Sequence, residues 1–474
     1  LQTLSEHTSE LDVGVPARGL HGEAYRGHVF WDELFVFPFY TLRFPEISRA
    51  LLMYRWRRLP AARRLAAEEG FRGAMYPWQS GSDGDDETPR VHLNPRSGRW
   101  LPDNSRLQRH VGIAVAHNVW QYVQATGDTA FLERHGAEML IEIARFWASI
   151  ARYNRARDRY EIRGVVGPDE YHDSYPDADH PGLDNNAYTN IMAARVIRHA
   201  LDALDMLSER QCRDLCEKLD FEAAERSRFE DIAGRMFVAF HGDGVISQFE
   251  GFEKLEELDW AAYRTKYGDI RRLDRIMEAE DDTVNRYQAS KQADVLMLLF
   301  LLSREELLAT LSSLGYQLDE AALDRTTDYY LARTSHGSTL SAVVHAWVLA
   351  RQERAESWQF FREALASDVE DIQGGTTSEG IHLGAMAGTI DLLQRCFTGV
   401  QMRDGVLCID PRLPPELEEL ELELTYRGNP GITLHITHDR ARIGLDPSGT
   451  SPITIEQDAQ ARTLMPGQVW DIVA

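Results

Sequence analysis

The chain changes its hydrophobic period once, near residue 397, and that change most constrains how it can fold. Before it, apolar residues recur at three- and four-residue spacing. "NVWQYVQATGD" leads into "TAFLERHGAEMLIEIARFWASIARYN", and "NAYTNIMAARVIRHALDALDML", "RFEDIAGRMFVAF", "KQADVLMLLFLL", "STLSAVVHAWVLARQ" and "GAMAGTIDLLQRCF" repeat the theme. This is the mark of amphipathic helices. After it, "GVLCIDPRLP", "LEELELELTYRG", "GITLHITHD", "ARIGL" and "ITIEQD" alternate with period two, broken by Gly, Pro and Asp, as antiparallel strands do. The expectation is a helical domain over 1–396 followed by a small antiparallel β domain over 397–474 that supports it.

The helices are separated by polar, Gly- and Pro-rich loops: "PWQSGSDGDDETPR", "VVGPDEYHDSYPDADHPGLDN", "RTSHGSTLS" and "GGTTSEGIH". No repeat of fixed period appears. A long series of helices joined alternately by plain turns and functional loops suggests helical hairpins in a ring, with the informative loops gathered at one mouth.

The 474 residues carry a formal net charge of −24. That excess of acid argues against nucleic-acid or anionic-membrane partners, which call for basic patches. The apolar run "ADVLMLLFLL" at 293–302 is too short to span a bilayer and reads as a buried helix. The first residues lack the basic-then-apolar pattern of a signal peptide. Cys212, Cys216, Cys396 and Cys408 suggest neither a disulfide framework nor zinc spacing, so a reducing cytoplasm is expected. No metal ligand set is expected.

The chemistry lies in the loops. In "GVVGPDEYHD", Pro168 disfavours helix just before it, leaving Asp169 and Glu170 on a turn. A carboxyl in an aromatic, partly apolar loop suits a general acid, although an Asp here equally suits a helix N-cap. In "SKQADVL", Lys291 and Gln292 can grip neighbouring hydroxyls, or simply start a helix. In "RTSHGSTLS", the hydroxyls, His336 and a helix start can hold an anion, and capping is the commoner use of such residues. Glu379 in "GGTTSEGIH" suits a second acid or base, a hydroxyl ligand or a cap. "RGHVFWDELFVFPF" crowds Trp31, Asp32 and Glu33 among apolar residues, either as satisfied buried polar groups or as a sugar-facing pocket floor. No GxGxxG, Walker, HExxH or GxSxG pattern is present.

Taken together, "GLHGEAYRGHVFWDELF", "YPWQSGSDGDDETP", "VVGPDEYHD…DNNAYTN", "QFEGFEKLEELDW", "NRYQASKQADVLML", "RTSHGSTLS" and "TSEGIHLGAMAGTIDLLQRCF" resemble glycoside hydrolase family 65. These are inverting phosphorylases of maltose, trehalose, kojibiose and related α-glucosides. The resemblance implies a mainly α fold, an (α/α)6 barrel with a C-terminal antiparallel β-sandwich. It implies Glu170 as general acid, and Trp31, Asp32, Lys291 and Gln292 as contacts to the reacting glucose, with Glu379 counted beside them. It implies a phosphate loop at Ser335, His336, Ser338 and Thr339. Inorganic phosphate would be the co-substrate with no cofactor, and a homodimer is implied. The family's N-terminal β-sandwich is not found before "LHGEAYRGHVFWD", and the stretch from "LQTLSEH" reads as a first barrel helix cut short. Two other readings stand beside phosphorolysis: an inverting hydrolase on the same fold with Glu379 as base, and an inactive carbohydrate-binding fragment.

Overall fold

The computed structural model describes residues 9–19, 24–372, 375–457 and 460–473. The opening stretch "LQTLSEHT", read above as a cut helix, lies outside them, as does "LHGE". The described residues divide into two compact units. One takes in residues up to Arg57, His117–Gly136 and His345 onward, and the other Arg58–Ala116 with Ala137–Val344.

The second unit is built from helices. Its core helix, Ala137–Ile150, is buried at every position but Ser149. Such a helix must neutralise any charge it carries, because a lone buried ion is costly. Glu142 accepts from Arg63 at 2.8 Å and from Arg145 at 2.5 Å. Glu138 accepts from Arg63 at 3.0 Å and Lys218 at 2.8 Å. The next long helix, Ala187–Met206, starts where the Asn186 side chain accepts the Thr189 N–H at 2.9 Å, an N-cap that satisfies one orphan donor. The apolar run at 293–302 forms the short helix Leu296–Leu301, buried from Leu296 to Phe300. Ser303 and Glu306 close a capping box that opens the next helix, Arg304–Ser313. Two small hairpins, β1 (Val91–Asn94) with β2 (Arg99–Pro102) and β3 (Arg152–Asn154) with β4 (Arg159–Glu161), complete this unit's regular structure.

The first unit holds helices Glu33–Arg43, Pro45–Arg57, Glu356–Ala366 and Leu383–Asp391, and all the C-terminal strands. These are β5 (Gln401–Arg403), β6 (Val406–Cys408), β7 (Glu419–Tyr426), β8 (Asn429–Thr437), β9 (Arg440–Leu445), β10 (Ile453–Gln457), β11 (Gln460–Leu464) and β12 (Val469–Val473). They form two four-stranded sheets, ordered β11-β10-β6-β5 and β12-β9-β8-β7. The pairings are antiparallel except β6 with β10, which run parallel. That exception has a connection reason: β6 and β10 are far apart in the chain, and a long crossover permits the parallel sense that a tight turn forbids. Inward-facing Leu424, Leu434, Ile443, Ile455 and Leu407 fill one shared core, as the period-two pattern requires. Leu42, from helix Glu33–Arg43, and Ala125 join the same core, and the Arg427 N–H donates to the Ala125 carbonyl at 2.7 Å.

Candidate active site

The site grows from the turn at 167–171. Gly167 leaves no room for a side chain, since a Cβ there would lie 2.2 Å from Asp294 Oδ2 and 2.4 Å from Asn186 Nδ2. After Pro168 and Asp169 the backbone enters the left-handed region at Glu170, with φ of 66°, uncommon for a residue with a Cβ. No helix follows, so Asp169 is not an N-cap. The turn instead splits two adjacent acids. Asp169 goes inward, with its side chain 2% exposed, and Glu170 points to an accessible edge at 26%.

Asp169 ties the turn to everything around it. Its Oδ1 accepts the Lys291 backbone N–H at 2.7 Å. Its Oδ2 accepts from Gln248 Nε2 at 2.9 Å, from His172 Nδ1 at 2.8 Å and from the His172 backbone N–H at 3.3 Å. The other ring nitrogen of His172 faces the Tyr287 carbonyl at 2.9 Å, so His172 is held at both ends. Beneath lies Asp294, which accepts from Asn186 Nδ2 at 3.1 Å and from the Asp169 N–H at 3.3 Å. Burial, and then the negative charge of Asp169, push the Asp294 carboxyl well above the usual carboxylate range.

Glu170 meets two of the residues singled out in the sequence. Lys291 Nζ donates to its Oε2 at 2.5 Å and Gln292 Nε2 to its Oε1 at 3.1 Å. Gln292 also donates to the Pro168 carbonyl at 2.6 Å. Lys291 and Gln292 stand before helix Leu296–Leu301 rather than in it. Irregular backbone there is what frees the Lys291 N–H for Asp169 and its carbonyl for the Gly337 N–H, at 2.8 Å.

That last contact brings in the loop at 333–341. Ser335 N–H donates to the Ser290 carbonyl at 2.8 Å, and Ser335 Oγ shares a 2.7 Å hydrogen bond with the Tyr171 hydroxyl. Tyr171 donates in turn to the Arg271 carbonyl at 3.0 Å. Burial raises its ionisation well above the ordinary range, so it stays a neutral phenol. His336 sits in left-handed backbone, φ 57°, with Nδ1 2.9 Å from Ser341 Oγ. Ser338 Oγ accepts the Leu340 N–H at 3.3 Å, a capping contact, and Thr339 opens helix Thr339–Ala350. Nearby, Arg272 grips Asp274 through two hydrogen bonds of 3.0 and 2.5 Å. Burial opposes ionisation of Asp274, but the paired guanidinium outweighs it and holds that carboxyl below its usual value.

The remaining candidates belong to the other unit. Trp31 is buried, edge-on to Phe35 at 6.1 Å, and Asp32 immediately precedes helix Glu33–Arg43 without capping it through its side chain. Their neighbour Glu33 follows the bland reading: it is buried and paired with buried Arg55 at 2.8 Å. Glu379 is exposed on the short turn Thr377–Glu379. That loop is anchored by Arg18, which donates to the Gly380 carbonyl at 2.9 Å, and by Asp368 against His382 at 2.7 Å.

Two family models match the chain: the glycosyl hydrolase family 65 central catalytic domain over residues 1–391 and the C-terminal domain over 400–464. The chain belongs to glycosyl hydrolase family 65. Among family relatives, it is 56% identical over its whole length to an uncharacterized glycosyl hydrolase of Mycobacterium tuberculosis, spanning 35% of that protein. It is 43% identical over 88% of its length to the trehalose 6-phosphate phosphorylase of Lactococcus lactis, covering 53% of that protein. It is 35% identical over 94% of its length to the kojibiose phosphorylase of Halothermothrix orenii, covering 54%. The chain thus spans between a third and about half of these relatives. A solved structure assigned as a kojibiose phosphorylase from the human microbiome superposes on 98% of the chain and 59% of its own, with TM-score 0.79 at 22% identity. The fold class is therefore the family 65 one, an (α/α)6 barrel with a C-terminal β-sandwich.

Sequence reading placed Asp169 on the turn without this role, and it missed Tyr171, His172, Gln248, Arg272 and Asp294. The one signal near them was the pair of consecutive acids after Pro168, which the turn sends to opposite sides. Among the described residues, no group of three or more His, Cys, Asp or Glu side chains is arranged to hold a metal.

Proposed function

We propose that this family 65 chain cleaves an α-linked glucose disaccharide by inverting phosphorolysis, giving β-glucose 1-phosphate and a free sugar. One observation carries the reading. The accessible Glu170 carboxyl is held by Lys291 and Gln292, and through Lys291 and Tyr171 the same turn is hydrogen-bonded to the Ser335–Thr339 loop. An acid beside an anion-suited loop is the minimum set for phosphorolysis, because phosphate is already a charged nucleophile and needs no general base. A hydrolase needs a second carboxyl to activate water.

In this reading Glu170 hands its proton to the glycosidic oxygen as that bond breaks. Phosphate held by Ser335, His336, Ser338 and Thr339 attacks the anomeric carbon from the opposite face. Gln292 and Lys291 bind hydroxyls or charge at the reacting ring. Inorganic phosphate is the co-substrate and no cofactor takes part. The phosphorylase names of relatives sharing 35–43% identity support this reaction class. The Lactococcus lactis relative's name adds a 6-phosphorylated disaccharide to the candidate substrates. The reading includes a cytoplasmic setting and a homodimer; no helix among the described residues is long and apolar enough to cross a membrane.

The test is a panel of kojibiose, trehalose, trehalose 6-phosphate and maltose, each with and without phosphate, followed by NMR of the anomeric proton of any sugar phosphate. Cleavage that requires phosphate and yields the β-anomer supports the proposal. Cleavage at equal rate without phosphate would replace it with a hydrolase.

A further inference from the structure

Lys291 presents a conflict of charge. Its ammonium lies 2.5 Å from the Glu170 carboxyl and occupies an oxygen of the very group that must hand a proton to the leaving group. The pair cannot be the reacting state. Lys291 therefore needs another anion, and its own position says where that anion is. Its carbonyl accepts the Gly337 N–H at 2.8 Å. Its stem lies against the same glycine, since a Cβ on Gly337 would come 2.9 Å from Lys291 Cγ and 2.3 Å from the Arg271 carbonyl. The side chain thus leaves the backbone on the Ser335–Thr339 loop and ends on Glu170.

Resting on the phosphorolytic reading above, we propose that Lys291 is a partner-exchange residue. Phosphate arriving at the Ser335–Thr339 loop draws the ammonium off Glu170, and Glu170 then takes up the proton that it later donates. A phosphate dianion competes for an ammonium better than a monoanionic carboxylate does. A neutral glucose hydroxyl does not, because it would leave the cation without a counter-charge.

The surroundings oppose no part of this exchange. Of the charged and titratable groups about the pair, Arg272 senses Glu170 but is committed to Asp274. Asp274 in turn senses Lys291. Asp169 is saturated by Lys291 N–H, Gln248 and His172, Asp294 is bound by Asn186, and Tyr171 is occupied by Ser335 and Arg271.

Protons balance over the cycle. Solvent supplies one to Glu170, which passes it to the glycosidic oxygen as the C1–O bond breaks. A phosphate oxygen forms the new bond to C1, and the ester product later releases the hydrogen that the attacking phosphate carried. Order is thereby imposed: the acid is armed only when the nucleophile is in place, which disfavours hydrolysis of the bound sugar.

The experiment is calorimetric titration of the chain with inorganic phosphate near pH 7, in two buffers of different ionisation enthalpy, which reports protons taken up per phosphate bound. The wild-type chain is expected to take up more protons than Glu170→Gln, and Lys291→Met to bind phosphate at least about tenfold more weakly with the excess uptake lost. Equal uptake by wild type and Glu170→Gln overturns the proposal while leaving phosphate-dependent cleavage intact. Unchanged phosphate affinity in Lys291→Met also overturns it. A parallel titration with glucose is expected to show no such uptake, and uptake there would assign the exchange to the sugar instead. Should Lys291→Met fail to fold, the Glu170→Gln and glucose arms decide alone.

Discussion

Asp169 and Glu170 are neighbours of the same chemistry, and the structure gives them opposite jobs. Replacing each by its amide should therefore produce opposite phenotypes. Asp169 accepts four hydrogen bonds, at 2.7, 2.8, 2.9 and 3.3 Å, with its side chain 2% exposed. Asn in its place retains one acceptor oxygen. Its amide must then face either the Lys291 N–H or the His172 and Gln248 donors, donor against donor. Each buried donor left unpaired costs about 1–3 kcal/mol. At about 2–4 °C per kcal/mol for a unit of this size, Asp169→Asn should lower the melting temperature by on the order of 10 °C. Glu170 sits at an accessible edge, 26% exposed. Glu170→Gln should cost under about 1 kcal/mol in stability but about 10²–10⁴-fold in turnover. Thermal scanning of both variants beside the phosphorolysis assay measures the contrast. An Asp169→Asn chain melting with the wild type, or a Glu170→Gln chain losing as many degrees, would refute the division of labour.

Other expectations follow from the same geometry. His110 is fully buried, and burial pushes its imidazole down to about 3. The native state thus binds this proton less tightly than the unfolded chain, whose value lies near 6.5. Its stabilising contribution is whole above about pH 6.5 and is lost as pH falls toward 3. His110→Gln should flatten the acid limb of a stability-versus-pH curve in that window. Arg55→Met should destabilise by about 3–5 kcal/mol by stranding Glu33, and the Glu33→Gln/Arg55→Met double variant should recover part of it, read by chemical denaturation. Gly337→Ala places a Cβ 2.3 Å from the Arg271 carbonyl. The loop must shift, and the KM for phosphate should rise at least about tenfold while disaccharide binding, followed by titration with Glu170→Gln as background, holds.

Much was legible before any coordinates. The helical period and its loss near 397 are local properties, and the C-terminal run of strands begins at Gln401. The loops that meet around Glu170 were the ones rich in Gly, Pro and hydroxyls, because such residues mark where a chain leaves regular structure. Sequence alone therefore determined the two kinds of regular structure and which loops could carry chemistry. It could not rank Asp169 above Glu170 for burial. The partners that decide this, Gln248, Tyr287 and Lys291, lie 79 to 122 positions away, and no local period encodes them. The parallel pairing of β6 with β10, and the entry of Leu42 and Ala125 into the sandwich core, were hidden for the same reason. Backbone period depends on neighbours within a few residues. The ionisation of a carboxyl, and hence its role, depends on whatever the folded chain sets against it.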